Sequence, residues 1–156
     1  MADCIDALID QNFVAAIKTV TTGNGYNTNI NTVERTRTAI CINGRYPFAL
    51  VIQLEPDDVE QWANLRNDNL NYVICYFDGI NDTVETVNTE FVYRMRNVHA
   101  DITKALKGDV SRGGYAQNTQ ILRHGFGIDD ASGEPFAYVV VEIARIIDPN
   151  DPYQLG

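Results

Sequence analysis

The chain has 156 residues, enough for one domain with a substantial core and too few for two. At 45% hydrophobic and 21% charged residues it has the composition of a folded globular protein, which excludes disorder throughout. A formal net charge of −9 with dispersed basic residues excludes a general nucleic-acid-binding surface, because phosphate affinity needs clustered lysines and arginines.

The first element is an amphipathic helix over 3–20, with Ile5, Leu8, Ile9, Phe13, Ala16, Ile17 and Val20 at helical spacing and Asp3 and Asp6 suiting its N-terminal dipole. Thr21 to Gly25 break it. Asn29 to Thr38 alternate as an exposed strand, with Arg35 and Arg37 on one face and Glu34, Thr36 and Thr38 on the other. After a turn at 43–47, Phe48 to Leu54 is a strand interior to a sheet. Glu55 to Trp62 reads as a short acidic helix or an irregular excursion. Leu70 to Phe77 is a second central strand, ended by Asp78-Gly79.

Asp82 and Glu85 form a capping-box-like start to the longest helix. Val84, Val87, Phe91, Met95, Val98, Ile102 and Ala105 give it one apolar stripe. Glu90 and Arg94 are a favourable i,i+4 pair, Lys104 and Lys107 suit the last turn, and Gly108 stops the helix. A strand over 118–125, a turn over 127–135 and a last strand over 136–147 follow. That last strand fits either a buried centre or an edge that pairs with a neighbour. The order predicts an α+β domain over 1–148: a mostly antiparallel β-sheet of about five strands with two α-helices on one face. Residues 149–156 are expected to form a flexible tail.

Few residues point to chemistry. Cys4, Cys41 and Cys75 lack metal spacing, and their odd number fits a reducing compartment. The acidic N-terminus lacks the basic region of a signal peptide, and no apolar run has membrane-spanning length, so assembly in a cytoplasm is expected. Gly23 to Thr28 fails the dinucleotide fingerprint, because its sixth residue is Thr28 and it follows a helix. Glu55, Asp57, Asp58 and Glu60 lack calcium-loop spacing. His99 and His124 have no catalytic or metal-ligating partner at recognisable spacing. Tyr72, Tyr76 and Phe77 read as core in preference to base-stacking platforms. No catalytic residue, cofactor or metal is assigned.

The most distinctive segment is the connector Asp109-Val110-Ser111-Arg112-Gly113-Gly114-Tyr115-Ala116-Gln117-Asn118-Thr119. It stands after an N-terminal helix, a Gly/Asn loop, a strand following Pro47, a second strand and a long helix, and before a closing strand. This arrangement resembles the tail terminator (tail completion) proteins of long-tailed bacteriophages. The resemblance covers most of the chain but neither the 55–60 turn nor the 148–156 tail.

The resemblance implies a non-enzymatic virion protein at the neck end of the tail, assembled in the host cytoplasm. It would form a homo-oligomeric ring, usually a hexamer, that caps the tail tube, stops its growth and joins a head-side connector. DNA would pass through an acidic lumen without specific binding, and no membrane is involved. Exposure and shape make Arg35, Arg37, Arg112, Gly113, Gly114 and Tyr115 the candidate subunit or tube interface. The rival classes are another connector subunit, such as a head-closure or tail-tube protein, and a small-molecule-binding or enzymatic α+β domain.

Overall fold

Five strands and two α-helices make up the described fold, in a computed structural model that describes residues 3–35, 46–54, 69–79, 89–129, 133–146 and 150–155. In chain order these are α1 (Ile5–Lys18), β1 (Thr32–Arg35), β2 (Phe48–Gln53), β3 (Leu70–Phe77), α2 (Thr89–Lys107), β4 (Ala116–Ile128) and β5 (Pro135–Arg145), with a 3-10 turn at Thr22–Asn24. The proposed cap at Asp82 and Glu85, the acidic turn at 55–60 and Arg37 lie outside the described residues.

The strands form one sheet in the order β1-β2-β3-β5-β4. Pairings β2–β3, β3–β5 and β5–β4 are antiparallel, and β1–β2 is parallel. The sheet is therefore mostly antiparallel and the fold α+β. Of the two places the sequence leaves open for the last strand, β5 takes the centre, between β3 and β4. The edge strands are β1 and β4, and the polar residues of β4 suit a strand with one open side.

Both helices pack on one face of the sheet. Ile5, Ile9, Phe13 and Ile17 recur every fourth residue on α1, so one stripe faces inward. Phe91, Met95, Val98, Ile102 and Leu106, three or four residues apart, form the inward stripe of α2. The two stripes meet Ala49 and Val51 of β2, Tyr72 and Ile74 of β3, and Val139, Val141 and Ile143 of β5 in one core. Phe13 stacks on Tyr72 with ring centroids 4.7 Å apart. The other face carries a second apolar cluster of Phe48, Leu50, Val73, Cys75, Phe77 and Val140. Every residue of β3 is consequently buried, which explains a strand apolar on both faces.

Pro152, in the described part of the tail, lies against the start of the first helix. The Ile5 N–H donates to the Pro152 carbonyl at 3.0 Å, satisfying one of the free donors at the start of α1. Cys4, at the N-cap position, supplies no side-chain cap.

Phe13 is fully buried and joins helix to sheet, so its loss leaves a cavity that α1 cannot fill. Phe13→Ala is expected to lower stability by about 3–5 kcal/mol, read as a shift in the urea midpoint with an unchanged slope.

Candidate functional site

The connector between α2 and β4 is a left-handed corner. Arg112, Gly113 and Gly114 have φ of 48°, 75° and 92° in succession. Two glycines adopt this region freely, whereas Arg112 occupies it against a cost of about 1–2 kcal/mol. The Asp109 carboxylate holds the corner in place. Its Oδ1 accepts from the Ser111 N–H at 3.0 Å and the Ser111 hydroxyl at 2.6 Å, and its Oδ2 accepts from the Gly113 N–H at 2.7 Å. The Ser111 carbonyl then accepts from the Gly114 and Ala116 N–H groups. These bonds, the Ser111 hydroxyl first and the Gly113 N–H second, hold the Asp109 carboxyl below the usual carboxylate range.

Arg112 overturns the premise of exposure. Its residue is 0% exposed, and its Nη2 donates inward to the Leu106 carbonyl at 2.5 Å, capping the C-terminal end of α2. Its Nε and Nη1 have no hydrogen-bond partner among the described residues. Burial pulls the guanidinium below its ordinary pKa, and the nearby Asp109 charge opposes that shift. The sequence reading failed here because an arginine between serine and glycine looks solvated. The corner instead turns its side chain under the helix end. Gly113 and Gly114 remain exposed and Tyr115 is half-buried.

Arg35 ends the edge strand β1 with an exposed side chain and pairs with Asp10 of α1. Asp10 also accepts the Tyr72 hydroxyl at 2.7 Å. A Cβ on Gly113 would lie 3.4 Å from the Asn12 amide of the same helix. Residues 10 and 12 point to opposite sides of a helix, so Arg35 and the connector flank α1 from two sides and do not form one patch.

A juxtaposition invisible in the sequence lies between α2 and β4. The His99 and His124 rings have centroids 4.5 Å apart, tilted by 37°. The His99 Nε2–H donates to the Gly125 carbonyl at 2.9 Å. The cause is a bulge in β4: Ile121 pairs with Val141, and the next pair is Arg123 with Val140. Val141 and Val139 face the helices and Val140 faces away, so the extra residue shifts the alternation and turns His124, opposite Val139, towards α2. Without it Arg123 would stand there. The pair lines an open groove of about 490 Å³ with Arg96, Ala100, Thr103 and Lys104. Lys104 is already engaged, donating to the Gly25 carbonyl and lying 4.8 Å from the centre of the Tyr26 ring. Burial, with a further contribution from His124, lowers the His99 pKa against the raising effect of the Gly125 bond.

The remaining reactive side chains serve the core. Burial pushes the Cys75 thiol up to about 12, and raises the Tyr72 and Tyr76 hydroxyls as well, so none is a ready nucleophile at neutral pH. Among the described residues no group of three His, Cys, Asp or Glu side chains could hold a metal ion, and no helix is long and apolar enough to cross a membrane. No protein-family model matches the chain, and no curated protein is significantly similar to it in sequence.

Asp109→Ala removes three hydrogen bonds from an exposed corner and is expected to cost about 1 kcal/mol. Because the folded carboxyl has a lowered pKa, its contribution is complete above the unfolded value of about 3.9 and is lost as pH falls through the folded one. The difference in urea midpoint between wild type and variant should therefore shrink below about pH 4.

For His99 the fold favours the neutral ring, so stability is lost as pH falls from about 6.5 towards the folded value. His99→Gln keeps an N–H donor without the titration. Urea unfolding at pH 7 and pH 5 should show the variant losing less stability than wild type over that interval.

Proposed function

We propose that this chain is a structural subunit of a phage tail, a tail terminator that closes the tail tube as a ring. In this role it ends tube polymerisation and offers a surface to the head-side connector. The observation that carries the reading is the arrangement itself: an N-terminal helix, central strands, a long helix, the Gly-Gly corner and a closing hairpin, with both helices on one face. A ring subunit needs a body that does not deform when neighbours and tube press on it. The Asp109–Arg112 corner and a sheet core buried on β3 supply such a body.

It also needs edges to share. The sheet has two, β1 at one end and β4 at the other, and head-to-tail association uses two different surfaces of the same subunit. The net charge of −9 suits a channel through which DNA slides without adhering. The role is architectural and non-catalytic, with the tube protein, the head-side connector and further copies of this chain as partners.

Phage particles assembled without this chain test the reading by electron microscopy. Tails of abnormal length, or normal tails unjoined to heads, are the expected result. Tails of normal length on filled heads would rule the reading out.

A further inference from the structure

A second cavity, of about 170 Å³, opens where the loop after α1 meets the end of β3 and the helix α2. Asn27, Thr28 and Asn29 line it from the loop, Tyr76 from β3, and Asn97 from α2. Tyr76 sets this cavity apart. It is 5% exposed and its ring belongs to the core, yet its hydroxyl has no hydrogen-bond partner among the described residues. A buried tyrosine hydroxyl ordinarily has one, so an unpaired hydroxyl on the wall of a polar cavity marks a place for a ligand. Burial raises its pKa and keeps it protonated, able both to donate and to accept.

The other wall groups are also uncommitted. The Thr28 hydroxyl and the Asn27 and Asn97 carboxamides have no partner among the described residues. Asn29 commits its oxygen, which accepts from the Thr22 N–H at 2.8 Å and the Thr22 hydroxyl at 3.2 Å, and keeps its N–H donors free. The wall is fixed in advance, because the buried Asp101 carboxylate of α2 accepts from the Asn27 and Thr28 N–H groups at 2.9 and 2.7 Å. Groups held in place before binding lower its entropic cost.

Charge and volume narrow the ligand. Asp78 and Arg94, the two charged residues of the lining, pair with each other at 3.0 Å. An anion would meet the Asp78 carboxylate and an ammonium the Arg94 guanidinium, whereas a neutral hydroxyl can pair with amides and hydroxyls in either sense. The volume is that of about five or six waters, below the roughly 300 Å³ of an ordinary cofactor pocket.

We propose that this cavity binds a small neutral polyol, a single sugar ring or its open-chain equivalent, with the Tyr76 hydroxyl and the Asn27 and Asn97 carboxamides bonding its hydroxyls. Such a site is independent of the ring role proposed above.

The test is a titration of the isotope-labelled chain, followed by NMR, with glucose as the ring probe and glycerol as the open-chain probe. Saturable shifts confined to the amides of Asn27, Thr28, Asn29 and Asn97 are expected with at least one of them, and the probe that gives them specifies ring or open chain. Tyr76→Phe and Asn97→Ala should each weaken binding about fivefold, the worth of one hydrogen bond. Thr103→Ala, in the other groove of α2, should bind as wild type does. Because the Tyr76 hydroxyl has no partner to lose, Tyr76→Phe should keep at least the wild-type urea midpoint, which a structural role for that hydroxyl would not allow. No saturable shift with either probe, undiminished binding by either variant, or tighter binding of acetate or methylammonium overturns the proposal.

Discussion

The path of the chain after α2 depends on one short corner. A helix of 19 residues ends there, the backbone runs through three left-handed residues, and the longest strand begins. Two side chains stabilise that corner from opposite sides. Asp109 binds the loop's amides from the solvent side, and Arg112 reaches back under the helix to the Leu106 carbonyl. The Thr119 hydroxyl donates to the Val110 carbonyl, and the Lys107 ammonium to the Thr119 carbonyl, so the first turn of β4 is tied to the same point. With the exit direction of β4 fixed, the hairpin that follows can set β5 between β4 and β3, where it completes both apolar faces of the sheet.

That insertion links core to surface. β5 is the strand on which β4 registers, and the bulge opposite Val140 decides which β4 side chains look towards α2. A single extra residue therefore assigns His124 to a groove and Arg123 to the other face. The same alternation places Phe126 against Phe91, with centroids 5.6 Å apart, although Phe126 keeps 44% of its surface exposed. The α2–β4 end of the molecule thus combines an open strand edge, an aromatic side chain half in water and an arginine without a partner. The α1–β1 end differs. Its charges are largely matched internally, Arg35 with Asp10 and Arg145 with Asp6, the latter at 2.6 Å.

The two ends of the sheet are unlike, and its middle strand is buried on both faces. The titratable groups agree with that division. Those held deep in the sheet, Tyr72, Cys75 and Tyr76, are raised by burial and serve packing. At the periphery, the His99 and His124 rings meet with centroids 4.5 Å apart.

Much of the fold was legible in the sequence because its elements obey local rules. The four-residue spacing from Ile5 to Ile17 can bury only as a helix, and the unbroken apolar run from Tyr72 to Phe77 can satisfy both of its faces only at the centre of a sheet. Gly113 and Gly114 announced a turn, because glycine adopts positive φ freely. Four features were settled by tertiary structure alone. The parallel pairing of β1 with β2 and the central place of β5 depend on contacts between strands distant in sequence. The burial of Arg112 depends on where the end of α2 lies above the corner. The meeting of His99 with His124 depends on a bulge, since strict alternation would have turned His124 away. Periodicity determines which face of an element is apolar. The direction of a single polar side chain follows from register and from the neighbours that register supplies.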